Sequence, residues 1–359
     1  MTPRDTDFGR VITTLHHQEP DRVPLAEATI DYEIMSRFLG RPVTGTDLAA
    51  QVDFWSQAGY DFIPLTVGML EPGKVTQDSR ISQVIREVML RDTADHRQTD
   101  SWNLERRAWI HTRDDVERFP WDEAARPDLS KFRSVQALLP DGMKIIALSG
   151  KIFTLAWLLM GFEDFAANTI LDPDLVSLLV AKVAAIQLAG LREVVHVPNV
   201  AAVWAVDDMA FGSGPMLRPA AFRRFIFPWY EEFSAICHQH HKYLFFHTDG
   251  VVWDLLPDLI HLGIDALHPI DPTCMDIEEV KTKVGDNLCL MGNVSNELLM
   301  NGTPEDVVAL TKHRLKVLGP GGGYCLGAGN SVPEWARIEN YRAMIETGLR
   351  FGHYPIQID

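Results

Sequence analysis

No excess of positive charge, no closely paired cysteines and no apolar run of bilayer length occur in this chain of 359 residues. Its formal net charge is −16. Binding nucleic acid requires clustered Lys and Arg against phosphates, so no nucleic-acid partner is expected. The same charge disfavours a highly anionic substrate unless a local basic pocket overrides the global field. The four cysteines, Cys237, Cys274, Cys289 and Cys325, form no C-x-x-C pair. Three lie in or beside apolar strand-like runs, which predicts buried free thiols in a cytoplasmic protein. The opening Met-Thr-Pro-Arg-Asp-Thr-Asp lacks the apolar stretch of a signal peptide. The longest apolar run, around residues 153–162, is too short to span a bilayer, so no membrane association is expected. Low-complexity tracts, internal repeats and obvious linkers are missing too, which points to a single domain over 1–359.

What is present is an ordinary globular composition, 46% hydrophobic and 23% charged. Short apolar runs at 23–30, 62–67, 144–149, 201–206, 243–247, 266–269, 288–292 and 323–327 alternate with longer amphipathic stretches. Eight such strands, most followed by helical pattern, predict an α/β fold of one (β/α)₈ TIM barrel. Two helix starts are well marked: Asp172-Pro-Asp-Leu and Thr303-Pro-Glu-Asp each combine a cap with a proline in the first turn. Residues 71–138 break the alternation. Their charged, alternating segments at 81–91 and 97–110 predict a hairpin insertion after the second strand, followed by loop with a short helix.

Polar residues gather where the apolar strands stop, and in a barrel those points converge on one mouth. The clearest case is Tyr-Leu-Phe-Phe-His-Thr-Asp-Gly at 243–250, where His247 and Asp249, two apart, leave an extended chain on the same side. A polar ring closing such a run needs a specific partner. Other strand ends offer Glu27, Asp207 and Asp208, His268, Asn293 and Asn330. Each has a plainer reading. The aspartates also suit helix caps, His268 a loop hydrogen bond, and Asn293 and Asn330 tight turns. Glu27 interrupts an apolar run. Trp204, with Phe246 and Trp253, suits either an apolar substrate wall or core. The triplet His238, His240 and His241 reads as a solvated helix end. His247 and Asp249 serve equally as an acid–base pair or as two ligands of a metal. Glu27, Asp207 or Asp208 would complete the metal set.

In order, these motifs resemble the superfamily of uroporphyrinogen decarboxylase and the corrinoid-linked methyltransferases. The likeness runs through Pro-Asp-Arg-Val-Pro at 20–24, Ala-Trp-Leu-Leu-Met-Gly-Phe-Glu at 156–163, Asp207-Asp208-Met, Leu-Arg-Pro at 217–219 and Phe227-Pro228. It continues in His247-Thr-Asp-Gly250, Met-Gly-Asn293 and the glycine-rich run at 319–323. The resemblance implies a barrel with its site at the C-terminal mouth, and members that often pair as homodimers. It also implies two chemistries. The decarboxylases are cofactor-free and grip a many-carboxylate tetrapyrrole with arginines after the first strand and an aspartate after the second. Here the first strand runs into Glu27-Ala-Thr-Ile-Asp-Tyr-Glu33 with no arginine before Arg37, and no aspartate ends the second. The methyltransferases resemble zinc enzymes with His-x-Cys after the fifth strand and a cysteine after the eighth. Here His247 is kept, Asp249 stands for the first cysteine, and the segment after the eighth strand has none.

The leading expectation is therefore a methyltransferase or demethylase that moves a methyl group from a small O- or N-methylated donor to a corrinoid on a partner protein. Its catalytic residues are His247, Asp249, Asp207 and Asp208. Substrate contacts are expected from Glu27, Trp204, His268, Asn293 and Asn330, and zinc or a harder metal would sit on His247, Asp249 and Glu27. The alternatives are a cofactor-free decarboxylase or lyase acting on a small acid, and a barrel that binds without catalysing.

Overall fold

Seven of the eight expected strands form and share one parallel sheet. The computed structural model describes residues 5–67, 108–119, 121 and 127–358. Strands β1 (Phe62–Thr66), β2 (Lys144–Ser149) and β3 (Val200–Val206) come first; a hairpin of β4 (Ala210–Phe211) and β5 (Gly214–Pro215) follows. Then come β6 (Tyr243–His247), β7 (Ala266–His268), β8 (Cys289–Val294) and β9 (Tyr324–Ala328). The sheet order is β1-β2-β3-β6-β7-β8-β9, with every neighbour parallel.

The sheet curls around its own core, because side chains alternate between two faces. One set of alternate residues forms a single interior cluster: Phe62, Ile146, Leu148, Ala202, Trp204, Phe245, Ala266, Cys289, Met291 and Cys325. Trp204 sits at its centre, 6.4 Å from the Phe62 ring and 5.5 Å from Phe245. The opposite set packs against the surrounding helices. The helix Gly9–Leu15 closes the N-terminal end of the barrel with Phe8, Val11 and Leu15, which belong to the interior cluster. Phe8 N–H bonds Gly142 O at 3.0 Å and Gly323 N–H bonds Thr14 O at 3.0 Å, fixing that plug to the starts of β2 and β9.

The expected first strand is the exception. Residues 22–30 run beside β9 and the segment after it, meeting them at isolated parallel bridges, Leu25 to Leu326 and Ile30 to Val332. Pro24 has no N–H to give, which interrupts a regular ladder. Among the described residues no backbone hydrogen bond joins 22–30 to β1. Side chains span that seam instead. The buried Asp61 carboxylate, just before β1, accepts from Arg10 Nη1 at 2.8 Å and from Arg22 Nη2 at 3.3 Å, and Arg22 Nη2 also donates to Gly59 O at 3.1 Å. The fold is thus TIM-barrel-like, with seven laddered strands in place of the expected eight.

The marked helix starts form as read. Asp172 accepts from Leu175 N–H ahead of the helix Pro173–Val194, and Thr303 makes a reciprocal capping box with Asp306 ahead of Pro304–Leu318. Pro173–Val194 is also the apolar stretch that mattered. It is longer than the run at 153–162 and by length and composition long enough to cross a membrane, yet 61% of its most apolar window is buried inside the protein. The hairpin expected within 71–138 lies mostly outside the described residues. Within them that region supplies two short helices, Arg113–Arg118 and Ser130–Gln136. Cys237, Cys289 and Cys325 are buried and Cys274 is half-buried, all four unbridged.

Candidate active site at the C-terminal mouth

Register builds the site. Parallel pairing places Val206 of β3 beside His247 of β6, and His247 beside His268 of β7. All three continue the interior faces of their strands, two residues beyond Trp204, Phe245 and Ala266. The next residues inherit that alternation. Asp249, two past His247, stays on the mouth side. Gly250, at φ 85°, then turns the chain so tightly that a Cβ there would lie 2.5 Å from Ala210 O.

Asp208, His247 and Asp249 converge, with ligating atoms all within 4.8 Å of one another. His247 Nε2 lies 3.6 Å from Asp208 Oδ1 and 3.9 Å from Asp249 Oδ1. Asp208 Oδ1 also accepts from Asp249 N–H at 3.2 Å. Asn330, on the loop after β9, donates to Asp249 Oδ2 at 2.7 Å and accepts from Ser331 N–H at 2.6 Å, which fixes its orientation. Burial pushes the Asp249 carboxyl up to about 6, and the neighbouring Asp208 charge adds to the rise; His247 and Asn330 pull it down. Its Oδ1 is buried and has no hydrogen-bond partner.

Behind the triad, His247 Nδ1 and His268 Nδ1 are 2.8 Å apart. His268 is fully buried, and burial followed by the nearby His247 drives its pKa well below the ordinary range, so its ring is neutral. Its Nε2 is unpartnered, as is Trp204 Nε1, and the two rings stand edge-to-face at 5.0 Å. Asn293 continues the interior face of β8. Its Nδ2 donates to Ile270 O at 2.7 Å and its Oδ1 is buried without a partner.

Two expected site residues lie elsewhere. Asp207 points outward, between the sheet and its helices, and both its oxygens are occupied. They accept from the N–H groups of Ile152, Phe153 and Thr154 at 2.7–3.0 Å and from Tyr230 Oη at 2.7 Å. Asp207 thereby holds the start of the helix Phe153–Met160, while burial lifts its carboxyl to about 6. Glu27 is also outward, flanked by the interior residues Ala26 and Ala28. Its Oε1 accepts from Ala328 N–H at 2.7 Å, its Oε2 is unpaired, and burial raises its pKa far above the usual range. Glu27 is thus apart from His247 and Asp249, and the third group beside them that could hold a metal is Asp208. Of the histidine triplet, His238 pairs with Asp265 at 3.0 Å on the surface.

The donor set fits a divalent cation. One imidazole nitrogen and two carboxylates suit zinc or a harder ion, and the unpaired Asp249 Oδ1 faces the His247 Nε2 edge that such an ion would share.

Comparison with known proteins shows the family of the chain. The profile of the uroporphyrinogen decarboxylase (URO-D) family matches residues 109–350, well over half of the chain. The chain belongs to the uroporphyrinogen decarboxylase family. Uroporphyrinogen decarboxylase of Neisseria meningitidis is 26% identical over 239 residues, covering 62% of this chain and 65% of that protein. The enzyme of Coxiella burnetii is 28% identical over 143 residues, covering 38% of each. The chain thus spans between about two fifths and two thirds of the length of these relatives. A solved methyltransferase from Methanosarcina mazei shares the fold along almost the whole chain: TM-score 0.65, 16% identity, 97% of this chain and 99% of that one. That likeness shows the barrel-like fold, and the curated relatives carry the name of an enzyme.

Proposed function

We propose that this URO-D family protein is a methyltransferase or demethylase that takes a methyl group from a small O- or N-methylated donor and passes it to a corrinoid held by a partner protein. The observation that carries this reading is the Asp208–His247–Asp249 triad at the mouth, with a bare Asp249 oxygen facing the imidazole edge. Taking a methyl cation from a neutral ether or amine leaves an anionic heteroatom, which must be protonated or bound as the bond stretches. A divalent ion held by His247 Nε2, Asp208 and Asp249 would supply Lewis-acid polarisation of that heteroatom. The chain's own residues do the positioning. Asn330 orients Asp249, His268 holds the back of His247, and the buried Trp204 ring packs against His268 from the barrel interior. An acidic mouth repels a many-carboxylate tetrapyrrole, which argues against uroporphyrinogen itself as the substrate.

A second reading has its own support. With its carboxyl raised to about 6, Asp249 retains a fraction of its proton near neutrality and can protonate a carbanion, as a metal-free decarboxylase of a small acid would require.

Metal content separates the two. Plasma mass spectrometry of purified wild type is expected to find close to one divalent ion per chain, and His247→Ala to lose it with an unchanged circular dichroism spectrum. No metal in the wild type after growth with zinc, manganese or iron would leave the acid–base reading in front. Unfolding of the variant would make His247 structural.

A further inference from the structure

The contact between His247 and His268 joins Nδ1 to Nδ1 at 2.8 Å, with both rings buried. Such a bond holds one proton, so one ring must donate and the other must offer a bare nitrogen. We propose that His268 is a positioning residue that decides which nitrogen of His247 is bare, and that the bond between them reverses direction when a cation enters the triad. This rests on the metal reading of the site given above.

Consider the pair with two protons between them. Without a cation, His247 Nε2 faces carboxylate oxygens of Asp208 and Asp249 at 3.6 and 3.9 Å, and these are acceptors. That edge favours a proton on Nε2. His247 Nδ1 is then bare and accepts from His268 Nδ1–H, leaving His268 Nε2 bare. With a cation on Nε2, His247 must carry its proton on Nδ1 and donate it to His268 Nδ1. The proton of His268 is then on Nε2. The change balances: the His247 Nε2 proton leaves to solvent, the shared proton crosses from His268 to His247, and one proton joins His268 Nε2. Two protons are present before and two after.

The surroundings of His268 permit both states. Among the described residues no protein atom pairs with its Nε2. A fixed carbonyl there would hold the ring in its Nε2–H form, and a fixed donor would hold it in the other. The nearest aromatic neighbour, Trp204, stands edge-to-face at 5.0 Å and its own Nε1 is equally unpaired. A carboxylate behind His247 would bind the Nδ1–H form alone; a second imidazole accepts either direction.

Nitrogen-15 NMR of histidine-labelled protein, metal-free and then titrated with zinc chloride, reads this directly. The expected metal-free state has His247 protonated on Nε2 and His268 on Nδ1. Zinc should exchange both assignments together. In zinc titrations, His268→Asn, whose amide occupies the Nδ1 position and can donate or accept, should keep zinc affinity within about threefold. His268→Leu should lose about 10- to 100-fold with its circular dichroism unchanged. Metal-free His247 already protonated on Nδ1 would overturn the proposal. So would tautomers that stay fixed on zinc binding, or full zinc affinity in the leucine variant. If wild type binds neither zinc nor manganese, the metal-assisted reading and the reversal both fail, while the metal-free assignment still tests whether His268 sets the resting tautomer: His247 in the Nε2–H form in wild type and mixed in the leucine variant supports it, and identical forms in both refute it.

Discussion

A single buried carboxyl shows how far side-chain direction governs role. Glu27 has one oxygen on Ala328 N–H and the other unpaired, and burial keeps it protonated well above the ordinary carboxylic range. Glutamine mimics that protonated acid in shape and hydrogen bonding. A raised folded-state pKa means the folded protein holds a proton that the unfolded chain has released, so this group's contribution to stability falls as pH rises above the unfolded value. Glu27→Gln should therefore match wild type in urea denaturation at pH 4 and exceed it by about 1–2 kcal/mol at pH 8. Equal stability at both values would mean that Glu27 has a partner for its charge. Alternation alone separates Glu27 and Asp207 from the site: Glu27 lies between two inward alanines, and Asp207 lies one residue beyond the inward Val206. The sequence carries that period-two signal, but only the curled sheet says which face is inward.

Strand ends were legible because apolar runs stop abruptly, and parallel register then brings those stops level. That is why His247, Asp249, Asp208 and Asn330 meet although they come from the ends of three separate strands, and why His268 joins them from β7. The His247–His268 bond had no signal in spacing, since the residues lie 21 positions apart. The aspartate doublet divides its work between elements. Asp208 turns to the mouth, and Asp207 receives three N–H groups at the start of the helix Phe153–Met160. Removing that carboxylate strands buried donors at a helix terminus. Asp207→Ala should cost about 2–4 kcal/mol by urea midpoint, with activity per folded molecule retained. Lost activity at unchanged stability would instead put Asp207 in the chemistry.

For the whole molecule, the seam between residues 22–30 and β1 is the feature that no pattern of apolar runs foretells. Eight runs suggested eight laddered strands, yet Pro24 and the chain's departure from β1 leave closure to an ion cluster. Asp61 accepts from two buried guanidinium groups, and Arg10 also reaches Asp21 at 2.6 Å. Removing Asp61 takes a buried carboxylate from both guanidinium groups, leaving Arg10 with Asp21 and Arg22 with Gly59 O among its partners. Asp61→Ala should lose about 3–5 kcal/mol in urea denaturation, whereas a loss under about 1 kcal/mol would mean that packing alone closes the barrel.

The helix Gly9–Leu15 shuts the far end of that barrel, and Trp204 and its neighbours fill the middle. Among the described residues the interior is thus closed from below, and the triad is reached from the mouth side. On the proposed function, whatever enters over the triad leaves by that side, and a bulky visitor seated there blocks traffic for the rest. If two reactants both need that approach, they must take turns, and the order of their visits becomes part of the catalytic cycle.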